Sequence, residues 1–345
     1  MEIHQFLPNL HFGDAVGNYT LQIQEILKKN GYHSNIYVQY SDSKVSKSCK
    51  HYKKHKKVSS KNNIIIYHYS IHSEICEYIR EAPDKKIMIY HNITPHYFFK
   101  YFPLIYFLTK RGREKLRSFC DVPYLSIAVS EYNAAELREF GFKNIHVLPL
   151  IINFRQFEEV ARQSILTRYS NGYTNILFVG RIAPNKMHDD IIKSFYFYKK
   201  HINSRARLFL VGSYFGMEEY YTSLKKLVAD LEVDDVVFTG KVQHDQLIAY
   251  YKLSNVFLCL SEHEGFCVPL LEAMYFNIPI IAYSSTGVPY TLGKSGILLK
   301  EKNYIEIAEL IDMIMNDKSV RGKIINNQKN RLTEYEPDKI AGKFL

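Results

Sequence analysis

Ser261-Glu262-His263-Glu264-Gly265-Phe266-Cys267-Val268-Pro269-Leu270-Leu271-Glu272-Ala273-Met274 is the most informative stretch of this 345-residue chain. It follows an apolar run at 256–260 that reads as a buried strand. It opens a helix at about Val268, with Pro269 in the first turn, where its missing N–H costs nothing. Backbone donors at such a helix start point at an anion. Glu264 and Glu272 stand eight residues apart, one before the helix and one about a turn inside it. Both can therefore border one pocket at the carboxyl edge of a sheet. A carboxylate accepts from hydroxyl groups, which suits a sugar and a ribose better than a phosphate. Taken singly, each glutamate reads more simply as a polar loop residue or a helix-start carboxylate favoured by the dipole.

A second segment lies about 80 residues upstream: Ile176-Leu177-Phe178-Val179-Gly180-Arg181-Ile182-Ala183-Pro184-Asn185-Lys186. A buried strand ends at Gly180, and a turn then carries Arg181 and Lys186. Two cations converging at a strand end would neutralise a diphosphate, the guanidinium as a fork and the ammonium as a point charge. Surface cations near turns are common, so the weight lies in the combination of the two segments.

With both segments in view, the chain resembles glycosyltransferase family 4, the retaining nucleotide-sugar transferases of GT-B fold. That fold is α/β, with two Rossmann-like parallel-sheet domains facing a central cleft. The resemblance covers most of the chain and is strongest over 240–299. It includes Thr239-Gly240-Lys241-Val242, the Glu-x₇-Glu block with Gly265-Phe266 and Pro269 inside it, Asn277-Ile278-Pro279-Ile280-Ile281-Ala282 and Gly296-Ile297-Leu298-Leu299. The resemblance implies that Arg181 and Lys186, following Gly180, bind the donor diphosphate and that Glu272 bonds the nucleotide ribose. It implies that Glu264 and the 265–268 backbone, with the amides of Phe266, Cys267 and Val268, hold the transferred sugar. Val242 then lies near the base, and Leu271 completes the donor-binding set. Met187 and Cys267 stand where glycine is common in the family, and neither change removes a charge or a donor.

In the first half, Tyr90-His91-Asn92 ends a strand where the family places a histidine beside the donor sugar. A lone histidine at a strand end is more often a structural hydrogen-bond partner, and only the family position selects His91 over His68, which ends the preceding strand. The catalytic set implied is His91, Glu264, Arg181 and Lys186. The loop containing Gly13, Asp14, Gly17 and Asn18 leaves the first strand, starts a helix and is expected to face the acceptor. It departs from the family's usual Gly-Gly pattern, and by itself it reads as a helix start.

Outward from these segments, short β-branched or aromatic runs alternate with helical patterns throughout, the signature of parallel α/β sheets. Strands are expected near 3–7, 35–39, 64–67, 87–90, 125–129 and 145–148, then near 176–179, 208–211, 236–239, 256–260, 279–283 and 297–299. The expected domains are 1–155, binding acceptor, and 174–330, binding the nucleotide sugar. A linker, 156–173, separates them, with 155–170 as a polar connecting helix. A last helix, 331–345, crosses back to the first domain. Residues 41–63 hold eight lysines and little apolar periodicity, and read as a solvated loop.

Composition agrees with a folded chain: 46% apolar and 23% charged residues exclude disorder. Five cysteines without a Cys-x-x-Cys spacing argue against a disulfide framework or zinc knuckle. The N-terminus lacks a signal-peptide layout and no run approaches the ~18 apolar residues of a spanning helix. A cytoplasmic protein is expected. Net charge is +10, and residues 1–155 carry 22 Lys and Arg against 13 Asp and Glu, while the remainder is nearly balanced. The basic half implies an anionic partner. Aromatic residues and cations mix over 97–117, which fits either a segment at the inner face of the cytoplasmic membrane or a buried aromatic helix with a basic end. No nucleic-acid-binding pattern accompanies them.

The expected activity is therefore a hexosyl transfer, with GDP-mannose as the leading donor and UDP-sugars fitting the same motifs. The acceptor is a glycan or a lipid-linked species in surface polysaccharide or lipopolysaccharide assembly. No cofactor beyond the nucleotide sugar is expected. The absence of Asp-x-Asp argues against a metal-dependent alternative. The rivals are a silent sugar-nucleotide-binding subunit and an NAD-linked dehydrogenase, the latter lacking Gly-x-Gly-x-x-Gly after any strand.

Overall fold

Thirteen strands form in the computed structural model, which describes residues 1–11 and 13–345. In the first sheet they are β1 (Ile3–Leu10), β2 (Ile36–Ser41), β3 (Lys50–His51), β4 (Ile64–Tyr69), β5 (Lys85–Tyr90), β6 (Leu125–Ala128) and β7 (Ile145–Val147). In the second they are β8 (Thr174–Val179), β9 (Ala206–Val211), β10 (Val236–Gly240), β11 (Val256–Cys259), β12 (Ile280–Tyr283) and β13 (Ile297–Leu299). The twelve expected strands are all present; β3, two exposed polar residues at a sheet edge, has no apolar signal to announce it. Both sheets are parallel, in the orders β3-β2-β1-β4-β5-β6-β7 and β10-β9-β8-β11-β12-β13. The central strands are buried on both faces, so they read as continuous apolar runs.

The chain divides into two units, Met1–Ile152 with Tyr335–Leu345, and Asn153–Glu334. In each sheet the strand order reverses once, between β1 and β4 and between β8 and β11. The chain connections from the two neighbouring strands there run to opposite faces of the sheet, and the loops that begin them border a crevice at the carboxyl edge. The two candidate clusters described below lie at these two points.

Three segments differ from their sequence reading. Residues 41–63 are not simply a solvated loop: two 3-10 turns flank β3, and Tyr52 and His55 are buried. His55 Nδ1 lies 2.8 Å from the Tyr78 hydroxyl and its Nε2 lies 3.5 Å from Asp84, so buried aromatic and polar contacts anchor a lysine-rich stretch. Residues 155–170 do not form one connecting helix. A 3-10 turn, Phe154–Glu158, precedes a helix, Gln163–Tyr169, and Phe157 and Ala161 pack in a cluster with Ile248 and Ala249 of the second unit. Over 97–117, a 3-10 turn (His96–Phe99) leads into the helix Pro103–Ser118. Phe99, Thr109, Gly112 and Leu116 are buried, whereas Tyr97, Tyr101, Leu104 and Phe107 are 62%, 71%, 68% and 53% exposed. The segment is thus core on one face and apolar surface on the other. No helix among the described residues is long and apolar enough to cross a membrane.

Candidate active site

In the second unit, β8 pairs directly with β11, Ile176 opposite Val256 and Leu177 opposite Phe257. The loops that follow these strands are therefore neighbours. Lys186 Nζ lies 2.6 Å from Glu264 Oε1, with both side chains largely buried. Asn185 ties the loops together: its Nδ2 donates to the His263 carbonyl at 3.0 Å, and its own carbonyl accepts from the Glu262 amide at 2.9 Å. Burial works against the Lys186 ammonium, but the Glu264 carboxylate outweighs it and holds the lysine pKa above its ordinary value. Arg181 is exposed and donates to the Phe215 carbonyl at 2.9 Å. Gly212, just after β9, permits the close passage of the Gly180 backbone, because a Cβ on Gly212 would collide with the Gly180 carbonyl.

The two positions at which glycine is expected after Lys186 and Phe266 share a backbone feature. Met187 (φ 52, ψ 49) and Cys267 (φ 70, ψ 68) are both left-handed, and each immediately precedes a helix, His188–His201 and Val268–Tyr275. The local chain keeps the conformation that glycine adopts without cost.

A support not foreseen in the sequence comes from residues 285–291. Thr286 Oγ1 accepts from the Glu264 amide at 2.8 Å and donates to the Glu264 carbonyl at 2.9 Å, and the Gly287 amide donates to that same carbonyl at 2.9 Å. Ser285 donates to the Ser261 carbonyl at 2.5 Å, and Thr291 donates to the Phe266 carbonyl. Gly287 must lack a Cβ, which would run into the Gly265 and Glu264 carbonyls. The backbone carrying Glu264 is thus held from behind by small polar residues. The run Ser284-Ser285-Thr286-Gly287 after an apolar strand is the only sequence trace of them.

Glu272 is half-buried one turn into the helix Val268–Tyr275, and its Oε2 accepts from the Tyr251 hydroxyl at 2.5 Å. Burial pushes its carboxyl pKa up, against the lowering effect of that hydrogen bond. Val242 is half-buried in the turn between β10 and the helix His244–Leu253. Leu271 has no exposed surface, so its side chain contributes packing.

In the first unit, the 13–18 loop starts the helix Ala15–Lys29. Asp14 is its N-cap, accepting from the Gly17 amide at 3.1 Å, and Gly17 passes close to the His11 carbonyl. Asn18 is exposed on the first turn and Gly13 is left-handed at φ 77. The choice between His91 and His68 dissolves, because His68 Nδ1 and His91 Nε2 lie 3.0 Å apart with their rings stacked. His68 Nε2 in turn lies 3.0 Å from Gln5 Oε1. Burial lowers both imidazole pKa values, His68 well below the ordinary range and His91 to about 3. Beyond His91 the backbone is set by Asn92, left-handed at φ 77, whose Nδ2 donates to Asn133 Oδ1 at 2.9 Å and to Glu136 Oε2 at 3.2 Å.

Among the described residues, two clusters bring together metal-ligand types: Cys259, Glu264 and Cys267, and Glu2, His4 and His33. In the first, Lys186 already stands against the Glu264 carboxylate, so a cation would have to displace an ammonium. In the second, the Asn35 amide donates to His4 Nδ1 at 3.3 Å, which places the proton of the neutral ring on Nε2, facing Glu2 at 2.8 Å. A ligating histidine needs the opposite arrangement, with the second nitrogen as donor.

Residues 167–331 match the family described as glycosyl transferases group 1. A GDP-mannose-dependent alpha-(1-6)-phosphatidylinositol monomannoside mannosyltransferase of Mycobacterium tuberculosis is 26% identical over 222 residues, covering 60% of this chain and 56% of that protein. An uncharacterised glycosyltransferase of Methanocaldococcus jannaschii is 34% identical over 170 residues, covering 48% of this chain and 42% of that one. The chain thus spans about half the length of the curated relatives it matches. Among solved structures, Anabaena HepE in complex with UDP-glucose superposes with a TM-score of 0.80 at 15% identity, covering 99% of this chain and 98% of that one.

Proposed function

Residues 167–331 belong to the glycosyl transferases group 1 family and the chain has the GT-B fold, and from that premise we propose that it is a retaining glycosyltransferase. It moves a hexosyl unit, mannose from GDP-mannose being the leading reading, onto a glycan or lipid-linked acceptor in surface polysaccharide or lipopolysaccharide assembly. UDP-sugars suit the same charged groups. The observation that carries the proposal is Lys186 against Glu264 at the β8–β11 reversal, with Arg181 on the same strand end.

Departure of the nucleotide diphosphate from the sugar C1 leaves negative charge. Arg181, Lys186 and the amides of residues 266–268 at the helix start neutralise it, so the reaction is proposed to need no metal ion. The acceptor hydroxyl attacks C1 from the face the diphosphate vacates, and its proton passes to the departing phosphate oxygen. Glu264 positions the sugar and Glu272 accepts from the ribose. Val242 borders the base, His91 the sugar, and the 13–18 loop the acceptor. The basic first unit and the exposed Tyr97, Tyr101, Leu104 and Phe107, interspersed with Lys100, Lys110 and Arg111, favour work at an anionic membrane face.

A thermal-shift screen of GDP-mannose, UDP-glucose and other nucleotide sugars tests the donor, because a ligand at 100 times its Kd stabilises by about 2.7 kcal/mol. No stabilisation by any of them would remove the reading. Slow donor hydrolysis without acceptor separates an enzyme from a silent sugar-nucleotide-binding subunit.

A further inference from the structure

Gln5, His68 and His91 form a buried chain of hydrogen bonds whose direction is fixed by its far end. The Gln5 amide nitrogen lies 3.0 Å from the Thr20 carbonyl. A carbonyl only accepts, so the NH₂ group faces Thr20 and Gln5 Oε1 faces His68 Nε2, at 3.0 Å. That oxygen also only accepts, so His68 Nε2 carries a proton. A neutral imidazole has one N–H, which makes His68 Nδ1 an acceptor. His91 Nε2, 3.0 Å away, must then donate to it. One orientation of one glutamine amide therefore sets two tautomers in succession.

We propose that Gln5 and His68 are positioning residues that hold His91 as the neutral, Nε2-protonated imidazole, so that Nδ1 meets its ligand as a lone-pair acceptor. Such a nitrogen fits a hydroxyl group and opposes a carboxylate or phosphate oxygen, which would set acceptor against acceptor. Gln5 and His68 have no exposed surface, and Tyr19 stands edge-on to both imidazoles, with ring centroids at 5.9 and 5.7 Å. Burial disfavours the doubly protonated form of either ring, and a second proton on His68, at Nδ1, would also set donor against donor with His91 Nε2. Sequence position alone offers His68 and His91 as competitors; the geometry gives them different tasks. His91 presents the acceptor, and His68 passes on the orientation that Gln5 takes from the helix Ala15–Lys29.

The ligand half of this inference rests on the glycosyltransferase reading, with a sugar hydroxyl as the group that meets His91; the tautomer half does not. The test is long-range ¹H–¹⁵N correlation on the full chain with ¹⁵N-labelled histidine, assigned with His68→Asn and His91→Asn. Protonated Nε2 and bare Nδ1 on His91 are expected in the wild type. A proton on His91 Nδ1 would overturn the proposal with no variant needing to fold. Gln5→Met removes the acceptor while keeping the volume, and should mix or reverse the two tautomers and lower turnover by up to about 100-fold with nucleotide affinity unchanged. An unaltered His91 spectrum in Gln5→Met would show that Gln5 does not position it. Failure of every nucleotide sugar to bind would instead count against the glycosyltransferase reading and leave the tautomer result standing.

Discussion

Lys186 and Glu264 form a buried ion pair, Nζ to Oε1 2.6 Å, across two loops that only the adjacency of β8 and β11 brings together. Removing one partner leaves the other charge buried and alone, which typically costs about 3–5 kcal/mol. Lys186→Met should lose stability on that scale, and Lys186→Met/Glu264→Gln should recover much of it. Urea denaturation of the three proteins checks this, and a double variant no more stable than the single would show that the pair is not coupled.

Arg181 gives the cleaner functional test, because it is exposed and donates to a loop carbonyl, that of Phe215. Arg181→Ala should lower turnover by about 10²–10³ with the thermal midpoint unchanged, as expected for loss of a transition-state charge partner. A variant with wild-type kcat would take Arg181 out of the diphosphate site.

Three buried histidines and the half-buried His91 set an acid limit. His91 and His188 are depressed by burial to about 3 and His55 to about 4, while His68 is lowered well below the ordinary range. The unfolded chain takes up these protons near pH 6.5 and the folded one does not. The stabilisation is therefore complete above about pH 6.5 and falls as pH drops toward 3–4, each group adding up to about 1.4 kcal/mol per pH unit. Denaturation midpoints measured from pH 8 to pH 5 should fall below about 6.5, and a flat profile would contradict the neutral histidines.

The left-handed Met187 predicts an asymmetric substitution pattern. Met187→Gly should stay within about 1 kcal/mol of wild type, the relief of φ offsetting the added chain entropy. Met187→Val should cost about 1–3 kcal/mol, since a branched side chain tolerates that conformation poorly. Calorimetry on the two variants distinguishes this from simple loss of packing, which would rank them the other way.

The exposed ring cluster predicts salt-sensitive membrane association. Vesicles containing anionic lipid should retain the protein at low salt and release it as salt rises, each lysine or arginine near the surface contributing about 1 kcal/mol. Tyr101→Ser/Leu104→Ser should weaken retention without unfolding, because both side chains are more than two-thirds exposed. Phe99 is the control: it is buried, so Phe99→Ser should destabilise the unit instead. Failure of the wild type to co-sediment at low salt would leave the cluster without a lipid role.

Twelve of the thirteen described strands, and the residue types at their ends, are legible along the chain; β3 is not. A strand buried on both faces must be written in apolar residues, and a helix start after it needs the Gly, Pro and carboxylate pattern that 261–274 carries. Those are local requirements, legible along one line of text. The neighbour of each strand is not local. That Gly180–Lys186 lies beside 261–268, that His68 and His91 are partners and not alternatives, and that Thr286 and Gly287 brace Glu264 all follow from strand order and loop packing. The same holds for residues 41–63, where charge density points to solvent but His55 is drawn into the core by Tyr78 and Asp84. Hydrophobic periodicity records how deeply each residue is buried, whereas hydrogen bonds and ion pairs depend on which buried residues meet, and only the closed tertiary structure decides that.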